Sequence, residues 1–445
     1  MHAILASMFM LAAQQAPQQS LLREVVPNPT GRNGYEEYLM ACDVVRNTRV
    51  ALILTSPSEL QAVVRDYEAP SQPGDESNEK LAKPSLERYQ VARKYQEYSL
   101  LRLRREAIQL AGTALDLLAK GNKKQVFDPR TQLNWDTLFP ELSEMRALAR
   151  LASAAAYVAY ADGQSARGNQ YLLDIFELGH NLSRGVLIAR LVGVSIHSIA
   201  FSTYERLLPA MTQNDAEKII GAVPKWVSSP PAAVTCLASE FTFINRSLES
   251  MFDRVEDAER FIFSDRDSNA EKTASEFLQR MTDADKRRVV QICREHLARQ
   301  QERLVASYRR PESEWDLPVD EAEEFPESRA VRSAEDMGLY LAGNISPAFS
   351  QIGSVEVRNR TQFRLLRLSA AVVRHKWEHD MFPATLPEAV GEENLTDPVS
   401  GDKFQYEVQG SGFKVWSKGT PRTGEIGLRY VRPQQGQDGP PPPSL

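Results

Sequence analysis

Cysteine is nearly absent. Cys42, Cys236 and Cys293 are the three present in 445 residues, far apart and with no C-x-x-C among them. That count excludes a disulfide framework and a thiolate zinc cluster, allows one bridge at most, and favours buried free thiols. G-x-S-x-G, the P-loop and G-x-G-x-x-G are also missing, so the common hydrolase, nucleotide and dinucleotide signatures have no carrier. Nor is there a basic run that would track phosphates along a polymer. Net charge is −6, with Lys and Arg interspersed among Asp and Glu; this pattern reads as solvated helix faces and argues against a nucleic-acid partner. A bilayer span needs about 20 continuous apolar residues. The nearest approach, Val186 to Leu208, is interrupted by Arg190 and His197 and reads as a buried core helix, so no transmembrane span is expected in the mature chain.

What is present starts with length. One hydrophobic core stops growing at roughly 250–300 residues, so at least two packed units are expected. Met1 to Ala16 resembles a secretory signal: Ala3 to Ala13 is apolar, and Ala12, Ala13 and Ala16 are small residues suited to a cleavage site. The expected location is therefore extracytoplasmic, in the periplasm or cell envelope. No cysteine follows the apolar run, which argues against a lipid anchor. Residues 17–34 read as a linker, and 35–349 as a helical domain with exposed loops near 68–85 and 311–328.

Within that domain, Tyr38, Ala41, Cys42, Val45 and Val50 form a helical stripe starting after Gly34. Leu86 to Lys120 reads as one long helical region stopped by Gly121. Leu142 to Ala161 and Gln170 to Leu182, joined by Asp162-Gly163, read as one helical hairpin of the tetratricopeptide type, without a second copy at a fixed period. The block from Leu142 to Arg254 also resembles helical regions of uncharacterised exported bacterial proteins. Ala270 to Arg309 supplies one or two further helices, and Ser333 to Phe349 a short one. The acidic stretch Pro311 to Glu327 lacks EF-hand alternation and reads as solvated carboxylates.

The clearest local grammar lies in Gln362 to Gly419. Phe363, Leu366, Ala370, Val373 and Trp377 share one helical face, and Asp380-Met381-Phe382-Pro383 ends the helix. Thr385 and Glu388 have capping-box spacing. Asp397-Pro398-Val399-Ser400-Gly401 is turn chemistry. Phe404, Tyr406 and Val408 alternate as a half-buried strand should, and Gln409-Gly410-Ser411-Gly412 closes a hairpin onto Phe413 to Ser417. The order of Phe382-Pro383, Asp397-Pro398, Gly401, Tyr406, Gly412-Phe413, Val415-Trp416-Ser417 and Gly419 resembles the C-terminal half of type II secretion pseudopilins of the G class. The resemblance implies a small α+β module, set at residues 350–432. Filament assembly and calcium are not implied: the helix is amphipathic and arginine-rich, and no carboxylate stands between Gly419 and Glu425. Residues 433–445, with Pro440 to Pro443, read as a disordered or polyproline tail.

His375-Lys376-Trp377-Glu378-His379 fits H-x-x-E-H, with both histidines on one face and Glu378 able to polarise a zinc-bound water. Against it, histidines suit a helix C-terminus, and the following hairpin offers no helix to supply a third ligand. His180, His197 and His296 are isolated on helices and read as packed or exposed. The expectation is a mainly α-helical, non-enzymatic envelope protein with a structural or binding role and an unspecified protein partner. No catalytic, cofactor-binding or metal residue is assigned, and no cofactor. The alternatives are a zinc-dependent peptidase using His375, Glu378 and His379, or an accessory subunit of a secretion or pilus-like apparatus.

Overall fold

The computed structural model describes residues 20–68, 84–130, 133–134, 137–227, 232–251, 272–315, 330–350, 352–391, 395–420 and 424–430. The expected signal segment, nearly all of the 68–85 loop, Pro230-Pro231, the acidic stretch beyond Trp315 and the proline-rich tail lie outside the described residues. The helices are α1 (Leu21–Val25), α2 (Gly34–Thr48), α3 (Pro57–Glu68), α4 (Leu86–Tyr95), α5 (Leu100–Ala111), α6 (Thr113–Asn122), α7 (Glu141–Ala161) and α8 (Ser165–Leu182). They continue with α9 (Leu187–Leu207), α10 (Gln213–Trp226), α11 (Ala232–Ser250), α12 (Lys272–Arg280), α13 (Asp283–Ser307), α14 (Ala334–Ser350), α15 (Ile352–His379) and α16 (Leu386–Val390). One antiparallel sheet follows, in the order β1 (Gln405–Gln409), β2 (Gly412–Ser417), β3 (Ile426–Tyr430).

The local sequence explains most starts and stops. Thr212 with Asp215, and Thr282 with Asp285, close reciprocal capping boxes at the starts of α10 and α13. Asn33 caps α2 through Oδ1, which accepts from the Tyr35 N–H at 3.0 Å. At the end of α15, Asp380 adopts φ 59° and turns the chain into Phe382-Pro383.

α7, α8 and α9 pack together as the centre of the molecule, and α10 and α15 lie against each other beside them. The α8–α9 contact depends on two glycines. A Cβ on Gly193 would sit 2.5 Å from the Gly179 carbonyl oxygen, and one on Gly179 would sit 2.3 Å from the His197 ring. Only glycine lets these backbones touch while admitting the imidazole. A small separate core of Ile53, Leu60, Val63, Val64, Ala92, Tyr95 and Leu103 joins α3, α4 and α5.

The main core runs without a break across residue 350, where the sequence suggests a module boundary. Phe363 of α15 lies 4.9 Å from the His197 ring, 5.2 Å from Phe201, 5.3 Å from Trp226 and 5.5 Å from Phe176. Further along α15, Trp377 donates to the Met211 carbonyl at 2.9 Å. The sheet packs on α15 through β2 and β3, with Phe413 stacked on Tyr430 at 5.3 Å and met edge-on by Phe382 at 5.3 Å.

Four expectations change. Part of the supposed linker is α1, whose Leu21 is fully buried; Asp43 of α2 holds the Leu21 N–H at 2.8 Å. Leu86 to Lys120 is three helices, because Ser99 caps α5 and the chain restarts at Gly112. Gly121 lies inside α6 and not past its end: a Cβ there would meet the Tyr38 ring at 2.6 Å, so it serves close packing on α2. The expected two-stranded hairpin is a three-stranded sheet, completed by Ile426, Leu428 and Tyr430, which alternate inward. That third strand pairs with the edge of β2 opposite β1, and Val408 of β1 is 43 % exposed in place of the burial its alternation suggests. Asp397 behaves as its turn chemistry predicts: its buried carboxylate accepts from the Val399 N–H at 2.9 Å and the Ser400 hydroxyl at 2.8 Å.

Candidate functional site

His375 and His379 do share a helix face, with ring centroids 4.3 Å apart. The remaining atoms are poorly placed for zinc chemistry. Glu378 lies 3.6 Å from Arg374, and His375 Nδ1 lies 3.3 Å from the Met381 carbonyl. Among the described residues no group of three His, Cys, Asp or Glu side chains is placed to hold a metal ion. The thiols are equally unsuited to nucleophilic work. All three are buried and unbridged; burial pushes Cys236 and Cys293 up to about 12 and Cys42 well above its ordinary value.

His197 is locked in the core between α8 and α15. Its Nε2 lies 3.2 Å from the Phe176 carbonyl oxygen and its Nδ1 lies 3.0 Å from Asn359 Oδ1. Both partners are oxygens, so a neutral ring donates to one of them at a time, from Nε2 or from Nδ1. Burial, reinforced by His180 and Arg190, pushes its pKa down to about 3, and burial takes His180 down to about 4. The unfolded chain therefore binds protons that the fold refuses between pH ~6.5 and the depressed values, and stability falls on acidification through that window. Glu240 opposes this, since burial raises it to about 7 while it accepts from the Leu187 N–H at the start of α9; its contribution is full below the ordinary carboxyl value and is lost as pH rises to about 7. Urea unfolding of His197→Gln should accordingly show a slope of stability against pH shallower by about 1.4 kcal/mol per unit near pH 5. Equal slopes in variant and parent would show that the folded imidazole already carries the proton.

Buried charge is organised along α15. Glu356, Arg360 and Arg364 stand one turn apart on one face. Glu356 pairs with the fully buried Arg190 of α9, which also donates to the Ser183 carbonyl at 3.2 Å. Arg360 holds Glu312 through Nε at 2.9 Å and Nη2 at 2.6 Å, and lies over the Trp315 ring; Arg364 pairs with the other Glu312 oxygen. The result is an alternating ladder from the core to a surface hollow lined by Glu312, Arg364, Arg367 and Asp397. Each charge in it has an opposite neighbour, so the ladder reads as architecture.

A different arrangement occupies the seam between α5, α7 and α9. Leu191, Ser195, Ser198, Ser202 and Arg206 follow one face of α9 at spacings of three and four. The segment Leu187–Ala210 is long and apolar enough to cross a membrane by length and composition, yet 56 % of its apolar window is buried in the fold. Its remaining face is this hydroxyl stripe. Arg150, Ser153 and Tyr157 of α7 face it, and Arg104 of α5 closes the end. The groove so formed measures about 520 Å³. Ser153 and Thr203 hydrogen-bond at 2.6 Å across its floor, and the Arg104 guanidinium lies 3.8 Å over the Tyr157 ring. Sequence reasoning missed this site, because its three arginines lie far apart in the chain; the serine spacing within α9 was the available signal. Comparisons with family models, curated proteins and solved structures gave no match to this chain.

Proposed function

We propose that the chain is an exported, non-enzymatic protein of a bacterial envelope whose role is binding. The observation that carries this reading is the contrast between its two sets of polar groups. The thiols, His197 and the α15 ladder are committed to packing, whereas the arginine and serine groove presents charge and hydroxyls to solvent. The hairpin of α7 and α8 is read as tetratricopeptide-like, and α15 with the sheet as a pseudopilin-like module; both serve as scaffold. An accessory place in a secretion or pilus-like apparatus would rest on that fold analogy alone.

Two measurements on the purified protein test the reading. Metal analysis should find no stoichiometric zinc; near-stoichiometric zinc that disappears in His379→Ala would replace binding with the peptidase assignment to His375, Glu378 and His379. N-terminal sequencing of the exported form should find a start between Ala13 and Gln18. An intact Met1 on a cytoplasmic protein would remove export and leave reduced thiols as the default.

A further inference from the structure

We propose that the groove between α5, α7 and α9 binds a small polar ligand carrying two phosphate groups. This rests on the binding role above and names its ligand class. Three guanidiniums, Arg104, Arg150 and Arg206, converge from three helices, together with the hydroxyls of Ser153, Ser195, Ser198, Ser202 and Thr203, and no carboxylate is among the lining residues. That is unusual placement in a chain of net charge −6.

Among the described residues, three nearby carboxylates have partners of their own. Glu205, beside Arg206, accepts from the Arg429 N–H of β3 at 3.1 Å. Asp162 pairs with Arg105 at 2.6 Å. Glu59 lines an adjoining hollow that shares Arg104, Arg150 and Arg206 with the groove, and accepts from the Ser56 N–H at 3.1 Å. Arg150 and Arg206 are exposed, and among the described residues neither has a carboxylate partner. The Arg150 charge reaches a neighbour: burial and Arg150 together hold Arg146 below the ordinary guanidinium range.

The chemistry of the occupant follows from geometry and charge. A planar guanidinium presents paired donors that match phosphate oxygens, and hydroxyls complete the shell. A phosphate ester carries about −1.5 to −2 at neutral pH, and the exposed Arg150 and Arg206 each offer paired donors to one such group. Arg104 is already oriented by its stacking on Tyr157, which lowers the ordering cost of binding. The volume suits a small molecule, since ligand sites typically enclose about 300–1,000 Å³. A long polyanion is disfavoured by the protein's overall negative charge. Two sources would present the same groups: a soluble phosphorylated metabolite, or the phosphorylated headgroup of a lipid.

Titration calorimetry of the full mature chain with inorganic pyrophosphate, and sedimentation with vesicles containing cardiolipin, whose headgroup carries two phosphates, against phosphatidylcholine vesicles, separate those sources. The expected result is one pyrophosphate per chain, bound more weakly as salt rises. Arg150→Gln and Arg206→Gln should each weaken it at least tenfold, with the exposed Arg299→Gln on α13 as the unaffected control. Arg150→Lys should recover only part of the affinity, because it restores charge but not the paired donors. Vesicle binding with the same arginine dependence and no pyrophosphate binding would support the phosphate chemistry and assign it to a lipid headgroup. Absence of binding in both arms, or binding indifferent to Arg150 and Arg206, overturns the proposal. Such a failure, with zinc absent and export intact, would overturn the ligand class while leaving the binding role standing.

Discussion

Glu356→Ala should destabilise the protein by about 3–5 kcal/mol, the cost of leaving a buried charge without its partner. Arg190 is 1 % exposed and Glu356 3 %, so water cannot replace the lost carboxylate. The remaining Arg190 contact, to the Ser183 carbonyl, is neutral and does not balance a full charge. Urea unfolding followed by far-ultraviolet circular dichroism and tryptophan fluorescence would measure the loss. The double variant Arg190→Met with Glu356→Leu should recover most of it, since apolar replacement of both partners removes two desolvation penalties together. A loss below about 1 kcal/mol in the single variant would mean that Arg190 reaches solvent or another anion.

Phe363→Ala should have a comparable effect, again about 3–5 kcal/mol for a large buried aromatic. Its ring is fully buried among His197, Phe176, Phe201 and Trp226, residues drawn from α8, α9 and α10. The damage should therefore spread to both sides of residue 350. Limited proteolysis would read this as new cleavage sites in α7 to α10 as well as in the sheet. Cleavage confined to the chain after Asn359 would instead establish a separable C-terminal module. Phe413→Ala provides the contrast, because that ring packs within the sheet and against Phe382 and should loosen the C-terminal end first.

The elements legible in the sequence are those decided by near neighbours. Leu142 to Ala161 and Val186 to Leu208 match α7 and α9 within a residue at each end, since length and apolar content suffice for long core helices. Gly410 and Gly401 take positive φ where the turn chemistry asks for it. The break between α4 and α5 was hidden because apolar spacing continues through it, and Ser99 as a cap was the overlooked signal. β3 was hidden because Ile426, Leu428 and Tyr430 are too few to stand out without β2 beside them. The candidate site was less legible still. Nothing near Arg104 or Arg206 in the chain indicates that they line one groove, and nothing near Arg190 names Glu356, 166 residues away. Such pairings are products of packing and leave no local pattern.

The unbroken core has a consequence for the order of events during synthesis. Phe176, Phe201 and Arg190 lie in the first half of the chain, yet the groups that complete them, Phe363 and Glu356, arrive only with α15. Until then the α8–α9 pair carries an unneutralised guanidinium and an open apolar face. Long sequence separation delays closure, because loop entropy must be overcome before the contact forms. A nascent chain of this design leaves that core incomplete until about four-fifths of it has emerged, which exposes the unfinished half to proteases or chaperones on the way.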